Sequence, residues 1–388
     1  MNYEIEKDIK KAVEEFEGLL REQYLRNEKM HEAALESEKN KDQSKKIVIG
    51  LTDGDGIGPV IMKETESVLK KILEEPISKG QVELKKIEGF TLENRLEKGQ
   101  TVPEEVLKEM QECHVLLKGP TTTPSVSMNT KNLESANVFL RKKFDLYANV
   151  RPVSIPDQGI DWTFFRENTE GEYALGSRGI KIGEELNVDF KVTTKEGTYR
   201  IAKAAYEFAK ANGKKRVSIV TKANILKKTD GEFLRICKAI GEEYPDIETD
   251  TWFIDIMAAN LVNTDIRDQF QVFLLPNLYG DILTDEAAQI QGGVGTAGSA
   301  NIGSNYALFE AIHGSAPRMV EEGIQDLANP ASLMKSAAMM LSHIGYVEES
   351  VKLEEALAYA DEKIGSRMTG QPGGASCQEF AALVMEKL

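Results

Sequence analysis

Apolar and polar positions alternate in blocks along most of the chain. Short apolar runs that each lead into a polar loop predict buried strands, and they include "IVIGLT", "CHVLLKGP", "RVSIVTKAN" and "VFLLPNLYG". Segments with apolar residues at helical spacing lie between them, such as "GTYRIAKAAYEFAKANG" and "ASLMKSAAMMLSHIGY". This alternation predicts an α/β sheet covered by helices. Ligands in such sheets bind where strands end, so the polar loops are the first places to look for a site.

A glycine-rich loop follows the first predicted strand in "GLTDGDGIGPVIM". The spacing of Gly54, Gly56 and Gly58 does not fit the G-x-G-x-x-G pattern of dinucleotide-binding Rossmann folds. Pro59 stands where a helix can begin, because its missing N–H is harmless in the first turn. The stretch therefore predicts strand, loop and helix in a non-Rossmann arrangement, and by itself the loop indicates only a tight turn.

The first 45 residues are dense in charge and carry apolar residues at roughly helical spacing. These residues are Ile5, Ile9, Ala12, Phe16, Leu19 and Tyr24. We expect one or two amphipathic helices over residues 1–45, appended to a domain that begins near Lys46. The simpler interpretation is that they pack on this chain or on a partner subunit, and the alternative is a regulatory or filament-forming arm. The segment has no apolar core typical of a secretory signal and too many glutamates for a mitochondrial presequence.

Composition and charge argue against several classes of function for this protein. A net charge of -15 argues against nucleic acid as the main partner, because phosphate binding needs a basic surface. No apolar run approaches the ~18 residues of a membrane span. The three cysteines are scattered and suggest neither a metal site nor a disulfide framework. We therefore expect a cytoplasmic protein whose main partner is neither nucleic acid nor a membrane.

Two aspartates four residues apart stand in "NLYGDILTDEAA". On a helix, Asp281 and Asp285 leave the same face one turn apart, and they repel each other unless a cation lies near. Asp255 interrupts an apolar stretch upstream, "TWFIDIMAANLV", so we expect it not to be freely solvated. Carboxylates without histidine or cysteine suit a hard cation, Mg²⁺ or Mn²⁺. The alternative is a helix face with ordinary salt bridges.

Three arginines are candidates for binding an anionic substrate. Arg141, Arg151 and Arg166 fall in "ESANVFLRKKFDLYANVRPV" and "FFRENTEGEY". Arginine binds carboxylates in bidentate geometry, so this set suggests a small polyanionic substrate, although surface salt bridges are the alternative. Ser135 and Asn137 precede Arg141 closely enough to add neutral hydrogen bonds to the same anion.

Further polar side chains stand at predicted strand ends. Lys222 follows the strand in "VSIVTKANIL" and can act as a base if its pKa is lowered, and Tyr173 in "ENTEGEY" can donate a proton. His313 opens a compact polar loop, "HGSAP", where it can stack on a base, and Asn329 precedes a predicted helix. Each of these residues also has a purely structural alternative.

Five of these stretches, in this order, resemble one family. "GDGIGP", "RENTEGEY", "NLYGDILTDEAA", "GSANIG" and "HGSAP…ANP" look like the β-decarboxylating dehydrogenases, the isocitrate and isopropylmalate dehydrogenase family. The resemblance runs from about Lys46 to the C-terminus. It implies the non-Rossmann, isopropylmalate dehydrogenase-like α/β fold, with a large subdomain (46–146 and 292–388) and a small one (147–291) sharing a central sheet. It also implies a dimer clasp near 171–197, and it leaves residues 1–45 as a helical extension.

The resemblance implies a role for each candidate residue. Arg141, Arg151 and Arg166 match the family's substrate-carboxylate arginines. Asp281 and Asp285 match its metal ligands, with Asp255 coming from the other subunit of a homodimer. Lys222 matches the base, also supplied across the dimer with Asp255 as a relay, and Tyr173 matches the proton donor. Implied cofactor-binding positions are Thr123, Asn224, Glu310, His313, Gly314, Ser315, Ala316, Arg318 and Asn329.

Within this family, Ser135 and Asn137 favour isocitrate, because isocitrate enzymes use such residues for the third carboxylate and isopropylmalate enzymes have apolar residues there. "FDLYANVRP" with "ENTEGEY" is especially similar to the NAD-linked isocitrate enzymes of mitochondrial type, which implies a role in the tricarboxylic acid cycle. The alternatives are a homoisocitrate or other 2-hydroxy-acid dehydrogenase and a non-catalytic regulatory subunit. A regulatory subunit would have broken metal ligands or no base, whereas the following residues are all present: Arg141, Arg151, Arg166, Tyr173, Lys222, Asp255, Asp281 and Asp285. The loop from Pro124 to Ser135 looks longer than usual.

The choice of dinucleotide rests on one position. NAD-specific members place an aspartate two residues after the alanine of "HGSAP", where it binds the ribose hydroxyls and repels a 2′-phosphate. Here that residue is Arg318, which suits a 2′-phosphate, with Arg367 as a second candidate. The overall resemblance nevertheless favours NAD, so we expect NAD and leave NADP open. We also leave open a higher oligomer formed through the N-terminal helices.

Overall fold

The structure is a computed structural model that describes residues 3–37, 46–124, 133–176 and 178–388. Its strands are β1 Ile47–Thr52, β2 Val82–Lys86, β3 Val115–Lys118, β4 Ala148–Ile155, β5 Ile160–Glu167, β6 Ile180–Ile182, β7 Leu186–Val188, β8 Arg216–Thr221, β9 Glu248–Phe253, β10 Val272–Leu275, β11 Gly298–Ile302 and β12 Ala307–Ala311. Its helices are α1 Tyr3–Ser37, α2 Gly58–Ile72, α3 Glu74–Ser78, α4 Leu92–Lys98, α5 Glu104–Gln111, α6 Ala136–Lys143, α7 Lys195–Ala211, α8 Thr229–Gly241, α9 Ile254–Val262, α10 Asn277–Gln291, α11 Pro317–Glu321, α12 Ala331–His343, α13 Val347–Ile364 and α14 Cys377–Lys387.

The chain divides into two compact units. The small unit comprises residues 1–42 and 158–283, and the large unit comprises residues 43–157 and 284–388. Helix α10 contains the boundary between residues 283 and 284, so it contributes residues to both.

The large unit is built on strands in the order β2-β1-β3-β12-β11-β4. Strands β2, β1, β3 and β12 are parallel, and β11 is antiparallel to both neighbours. Its main core packs α2, α12, α13 and α14 on this sheet around fully buried side chains such as Ile49, Leu117 and Phe309. Burial of both sheet faces explains why the inner strands β1, β3 and β12 are mostly apolar in sequence.

The small unit is built on four parallel strands in the order β5-β10-β8-β9. Trp162, Phe164 and Phe273 are fully buried and in ring contact, and the Trp162 indole N–H donates to the Arg267 carbonyl at 3.0 Å. The antiparallel pair β6-β7 lies in the segment where the resemblance predicts a dimer clasp.

Local signals explain several element boundaries. Pro59 stands at the start of α2, as the sequence predicts. Thr194 caps α7 by accepting the Gly197 N–H at 3.0 Å. The predicted strands in "CHVLLKGP", "RVSIVTKAN" and "VFLLPNLYG" are β3, β8 and β10, and the predicted helices are α7 and α12. No helix in the described ranges is both long enough and apolar enough to cross a membrane.

The described part of the N-terminal segment forms one helix, α1, where the sequence allowed one or two. Its buried face consists of Ala12, Leu19 and Met30, whereas Tyr24 is 68% exposed. The expected apolar face was therefore partly wrong, because at ~100° per residue Tyr24 lies about 120° around the helix from Ala12. Residues 125–132 of the long loop after Pro124 fall outside the described residues.

Candidate active site

One group of polar side chains in the small unit is tightly hydrogen-bonded; we call Arg166, Tyr173, Asn277 and Asp281 the Arg166 cluster. Arg166 lies near the end of β5, and Asn277 and Asp281 lie in the first turns of α10. The Arg166 Nε and Nη2 atoms donate to Asn277 Oδ1 at 3.0 and 2.6 Å, and Nη1 donates to Asp281. The Tyr173 hydroxyl donates to the other Asp281 oxygen at 2.6 Å. A predicted substrate arginine, proton donor and metal ligand therefore lie together.

A glycine makes room for this arrangement. A Cβ atom on Gly280 would lie 2.5 Å from Cγ and 2.6 Å from Cβ of Arg166. Since the Arg166 side chain is only 1% exposed, it has little space into which to move. The glycine in "NLYGD" therefore serves close packing of α10 against the arginine.

The "RENTEGEY" turn connects β5 to Tyr173 and is closed by its own glutamates. The Glu167 carboxylate accepts the Thr169 N–H and hydroxyl, both at 2.8 Å, and the Glu170 N–H at 2.7 Å. Burial, together with the charge of Glu170, raises the pKa of Glu167 to about 7. Both side chains are almost fully buried, so this turn has a rigid, internally hydrogen-bonded structure.

Lys222 and Asp255 form an ion pair in the small unit. The Lys222 Nζ atom lies 2.5 Å from Asp255 Oδ1, and this hydrogen bond lowers the pKa of Asp255. The Asp255 side chain is 59% exposed, so the expectation that it would be withdrawn from solvent was wrong. It was wrong because Asp255 lies on the open side of α9, where the apolar Ile256 is also exposed.

The two aspartates of α10 are each paired with an arginine. Asp281 pairs with Arg166 in the small unit, and Asp285 lies 3.3 Å from Arg151 Nη1 in the large unit. Arginines thus balance the two charges in this structure. The donor set still fits a hard cation, because both groups are carboxylates and their side chains are 38% and 63% exposed. Within the described ranges, no three histidine, cysteine or acidic side chains gather as a complete metal site.

Arg141 in the large unit is held by a buried glutamate. Glu310 lies 3.3 Å from Arg141 Nη2 and 2.9 Å from Lys118 Nζ, and it accepts the Asn301 amide at 2.9 Å. Burial by itself would raise the pKa of Glu310, but Lys118 and Arg141 lower it to about 2. A role in cofactor binding stays a prediction for Glu310, since the structure shows it bound to its own chain.

Sequence reasoning missed Lys118. Its side chain is only 1% exposed and its ammonium group also donates to the Gly119 carbonyl at 2.8 Å. The available signal was a lysine at the end of an otherwise apolar strand, directly before "GP". A buried cation at a strand end indicates a buried anion or a substrate position.

The remaining predicted substrate residues also lie in the large unit, and they are Ser135, Asn137 and Arg151. Asn137 accepts the Thr121 hydroxyl at 3.0 Å. Ser135 stands at the N-cap of α6 but its side chain makes no capping bond. Arg151 donates to the Thr284 hydroxyl at 2.5 Å and is almost fully buried. Their substrate roles remain predictions.

A cavity of about 430 Å³ in the large unit contains four of the predicted cofactor residues. We call it the His313 cavity; its lining includes Ile57, Thr296, His313, Gly314, Ala316, Met319, Ala328, Asn329, Met368 and Gly370. Burial lowers the pKa of His313, so the imidazole is neutral at pH 7. Its Nε2 atom is buried and has no hydrogen-bond partner within the described part of the chain. A neutral ring beside glycines and apolar side chains suits stacking on a flat heterocycle.

Besides Glu310, four predicted cofactor residues lie outside the lining of this cavity. Ser315 is buried, and its hydroxyl is 2.6 Å from the Thr122 hydroxyl. The Arg318 side chain is 86% exposed and pairs with Glu322 on its own helix at 2.8 Å. Thr123 is exposed in the large unit and Asn224 in the small unit.

The glycine-rich loop of the large unit also serves packing. Gly56 has a φ of 61°, and a Cβ on it would lie 1.9 Å from the Ser315 carbonyl oxygen. The Ile57 N–H donates to the same oxygen at 3.0 Å. The glycine-rich loop therefore packs directly against the "HGSAP" loop. The spacing of the glycines did not predict this contact.

Comparison with known proteins identifies the family of this chain. A family model described as isocitrate/isopropylmalate dehydrogenase matches residues 48–384. The mitochondrial NAD isocitrate dehydrogenase alpha subunit of Homo sapiens is 36% identical over 348 residues, which cover 88% of this chain and 90% of that protein. The homoisocitrate dehydrogenase of Methanocaldococcus jannaschii is 36% identical over 338 residues, which cover 83% of this chain and 92% of that protein.

A solved structure extends the likeness to the fold. The isocitrate dehydrogenase of Methylococcus capsulatus matches with a TM-score of 0.76 and 34% sequence identity. The match covers 88% of this chain and 99% of that chain. The predicted fold class is thereby confirmed.

Proposed function

Because the chain belongs to the isocitrate/isopropylmalate dehydrogenase family, we propose that it oxidises and decarboxylates isocitrate to 2-oxoglutarate and CO₂, reducing NAD in a metal-dependent reaction. The observation that carries this proposal is the Arg166 cluster, in which a buried guanidinium, a tyrosine hydroxyl and an aspartate are hydrogen-bonded together. A tricarboxylate substrate needs such fixed positive charge, and a decarboxylation needs an acid beside it.

The arginines and their neutral neighbours bind the substrate in this proposal. Arg141, Arg151 and Arg166 hold its carboxylates, and each is already aligned by a carboxylate of its own chain. A substrate carboxylate replaces or joins that partner, so the guanidinium groups need little reorganisation. Ser135 and Asn137 hydrogen-bond the carboxylate that distinguishes isocitrate from isopropylmalate.

Asp281 and Asp285 would hold Mg²⁺ or Mn²⁺, together with Asp255 of a second copy of the chain. A cation held there would supply stabilisation of negative charge on the 2-oxygen of the substrate, and a bound dinucleotide would supply the acceptor for the hydride from C2. Lys222 removes the proton of the 2-hydroxyl group, with Asp255 as its hydrogen-bonded relay. Loss of CO₂ leaves an enolate, and the Tyr173 hydroxyl then donates its proton to the carbon that carried the carboxylate.

Two observations support a homodimer with shared sites. The described part of one chain does not gather a complete three-carboxylate site, which is what a ligand from a second copy predicts. Exposed apolar side chains also surround the Lys222–Asp255 pair in sequence, namely Ile225, Leu226, Phe253, Ile256 and Val262. Apolar surface of this kind marks an interface.

Homoisocitrate is the second candidate substrate, because the relative from Methanocaldococcus jannaschii is as similar to this chain as the human isocitrate subunit is. A non-catalytic regulatory role is a weaker candidate, since every residue of the proposed mechanism is present. The cellular location also remains a proposal: we expect the cytoplasm, whereas several relatives are named as mitochondrial.

The test is the initial rate of reduced-nicotinamide formation by the purified chain. Isocitrate, homoisocitrate and isopropylmalate are each assayed with Mg²⁺ or Mn²⁺ and with NAD⁺ or NADP⁺. Metal-dependent turnover of isocitrate with NAD⁺ is the expected result. Activity on another acid alone would contradict the role of Ser135 and Asn137, and no activity on any acid would favour the regulatory subunit.

A further inference from the structure

Helix α1 lies outside the residues that match the family model, yet it contacts the turn that carries Tyr173. The family match begins at residue 48, and α1 ends at Ser37. Arg26 on α1 places Nη1 3.5 Å from Oε1 of Glu170, whose side chain is 3% exposed. This ion pair therefore links a segment absent from the family pattern to a buried residue of "RENTEGEY".

Arg200 reaches the same turn, where its Nη2 atom donates to the Thr169 hydroxyl at 3.1 Å, and Arg26 pairs with the Glu170 carboxylate itself. The other partners are the Thr194 N–H at 2.8 Å and the Thr194 hydroxyl at 2.5 Å, at the start of α7. Glu167, also buried, lies in the same turn and adds a second carboxylate. Two buried carboxylates this close are unfavourable without a positive charge, so Arg26 stabilises the turn electrostatically.

The turn is connected to the Arg166 cluster through Asn277. The backbone carbonyl of Glu170 accepts the Asn277 side-chain amide at 3.0 Å. The Asn277 oxygen in turn accepts two hydrogen bonds from Arg166. A shift of Glu170 would therefore move the side chain that orients Arg166, and Tyr173 follows three residues later in the chain.

The helix is placed for this role by its own packing. Phe16 stacks on Phe190 with ring centroids 5.0 Å apart, and Ala12 and Leu19 are buried. An exposed ion pair between Glu22 and Arg178, at 2.7 Å, adds a second polar contact. Because Met30 is buried as well, apolar contacts hold the helix on both sides of Arg26. The helix therefore places Arg26 beside Glu170.

We propose that Arg26 of the N-terminal helix is a positioning residue for the Arg166 cluster. By pairing with Glu170, it holds the turn that orients Arg166 and Tyr173. The inference rests on the proposed function, because it assigns Arg26 to the substrate side of that reaction. Arg26 touches neither substrate nor cofactor in this account.

The test compares Arg26→Met with Arg21→Met in the full-length chain. Arg21 lies on the same helix but is 75% exposed, and among the described residues its ion pair is the local one with Glu17, so it is the matched control. We expect Arg26→Met to raise the KM for isocitrate roughly tenfold and to lower kcat, because small displacements of binding groups cost about this much or more. The KM for NAD⁺ should not change, since the His313 cavity lies in the other unit. Arg26→Lys should recover part of the loss.

Hydrogen exchange of residues 167–173 gives a readout independent of turnover. Faster exchange there in Arg26→Met but not in Arg21→Met, with a raised KM for isocitrate alone, supports the inference. Equal exchange in the two variants overturns it. Equal loss of kcat on all substrates with unchanged KM values also overturns it, because that pattern reflects loss of folded protein. Inactivity of the wild-type chain on every acid would instead overturn the proposed function, and the inference with it.

Discussion

The Arg166 cluster and the His313 cavity are two regions assigned to ligands, and they have opposite character. In the cluster, both Asp281 oxygens and the three Arg166 nitrogens make hydrogen bonds within the chain. In the cavity, about 430 Å³ lies open, and the buried Nε2 atom of His313 has no partner within the described residues. The Arg166 cluster is therefore saturated with hydrogen bonds inside the chain, whereas the His313 cavity is already open to a ligand.

The difference follows from the cost of burying charge. A buried guanidinium or carboxylate without a partner is strongly unfavourable, so the cluster pairs its own groups when no ligand is present. A cavity lined by glycines, apolar side chains and the uncharged Thr296, His313 and Asn329 has no charge to be paired and can remain open. A ligand at the cluster must therefore exchange partners, whereas a ligand at the cavity only needs to fit.

The largest expected effect comes from removing the carboxylate that joins the cluster. Asp281→Asn should lower kcat/KM for isocitrate roughly a thousandfold, about 4 kcal/mol of transition-state stabilisation, because it weakens the cation site and the Tyr173 and Arg166 contacts together. Initial rates across a Mg²⁺ titration measure the loss, and saturation should need more Mg²⁺. Asp268→Asn, at an exposed position, is the control. Retention of near wild-type kcat would contradict the metal-ligand assignment.

A smaller effect should follow from crowding the cluster without changing its charge. Gly280→Ala places a methyl group against buried Arg166, so we expect kcat/KM for isocitrate to fall about 10- to 100-fold with the KM for NAD⁺ unchanged. Steady-state kinetics with each substrate varied in turn measure this. Gly231→Ala is the matched control, because nothing lies within 4 Å of its Cβ on α8, and it should be neutral or slightly stabilising. Unchanged kinetics in Gly280→Ala would show that Arg166 can move freely.

Glu310→Gln should lower the free energy of unfolding. Because the folded-state pKa of Glu310 is lowered from 4.5 to about 2, its charge stabilises the fold above pH 4.5, and this contribution is lost as the pH falls towards 2. At pH 7 the variant should lose roughly 3 kcal/mol of unfolding free energy. Urea unfolding at pH 7 and pH 3 measures this, and the difference from wild type should shrink at the lower pH. Glu355→Gln, at an exposed position, should change little; a pH-independent difference in Glu310→Gln would contradict the assignment.

The smallest effect is expected at Arg318. Its side chain is 86% exposed and makes a local ion pair, which is worth at most about 1 kcal/mol, so Arg318→Ala should change the KM for NAD⁺ less than about threefold. Steady-state rates with both dinucleotides measure it. A large loss confined to NADP⁺ would mean that Arg318 binds a 2′-phosphate, and the cavity would then share the charged character of the cluster.

Much of the fold followed from local patterns. The buried strands β3, β8 and β10 are apolar runs that end in polar loops, and the start of α2 is set by Pro59. The family motifs then indicated which of these loops carry site residues. Lys118 was missed because a single charge in a buried strand has no local signature, and its role depends on Glu310, which is 192 positions away.

The sequence by itself determined the α/β class, the strands β1, β3, β8 and β10 and the family, because periodicity and motif order are contained in short stretches of chain. Only the tertiary structure decided which groups pair: Arg166 with Asp281, Arg151 with Asp285, Glu310 with Lys118, and Arg26 with Glu170. Such pairings depend on which distant segments exclude water from the same charges, and no local pattern records that.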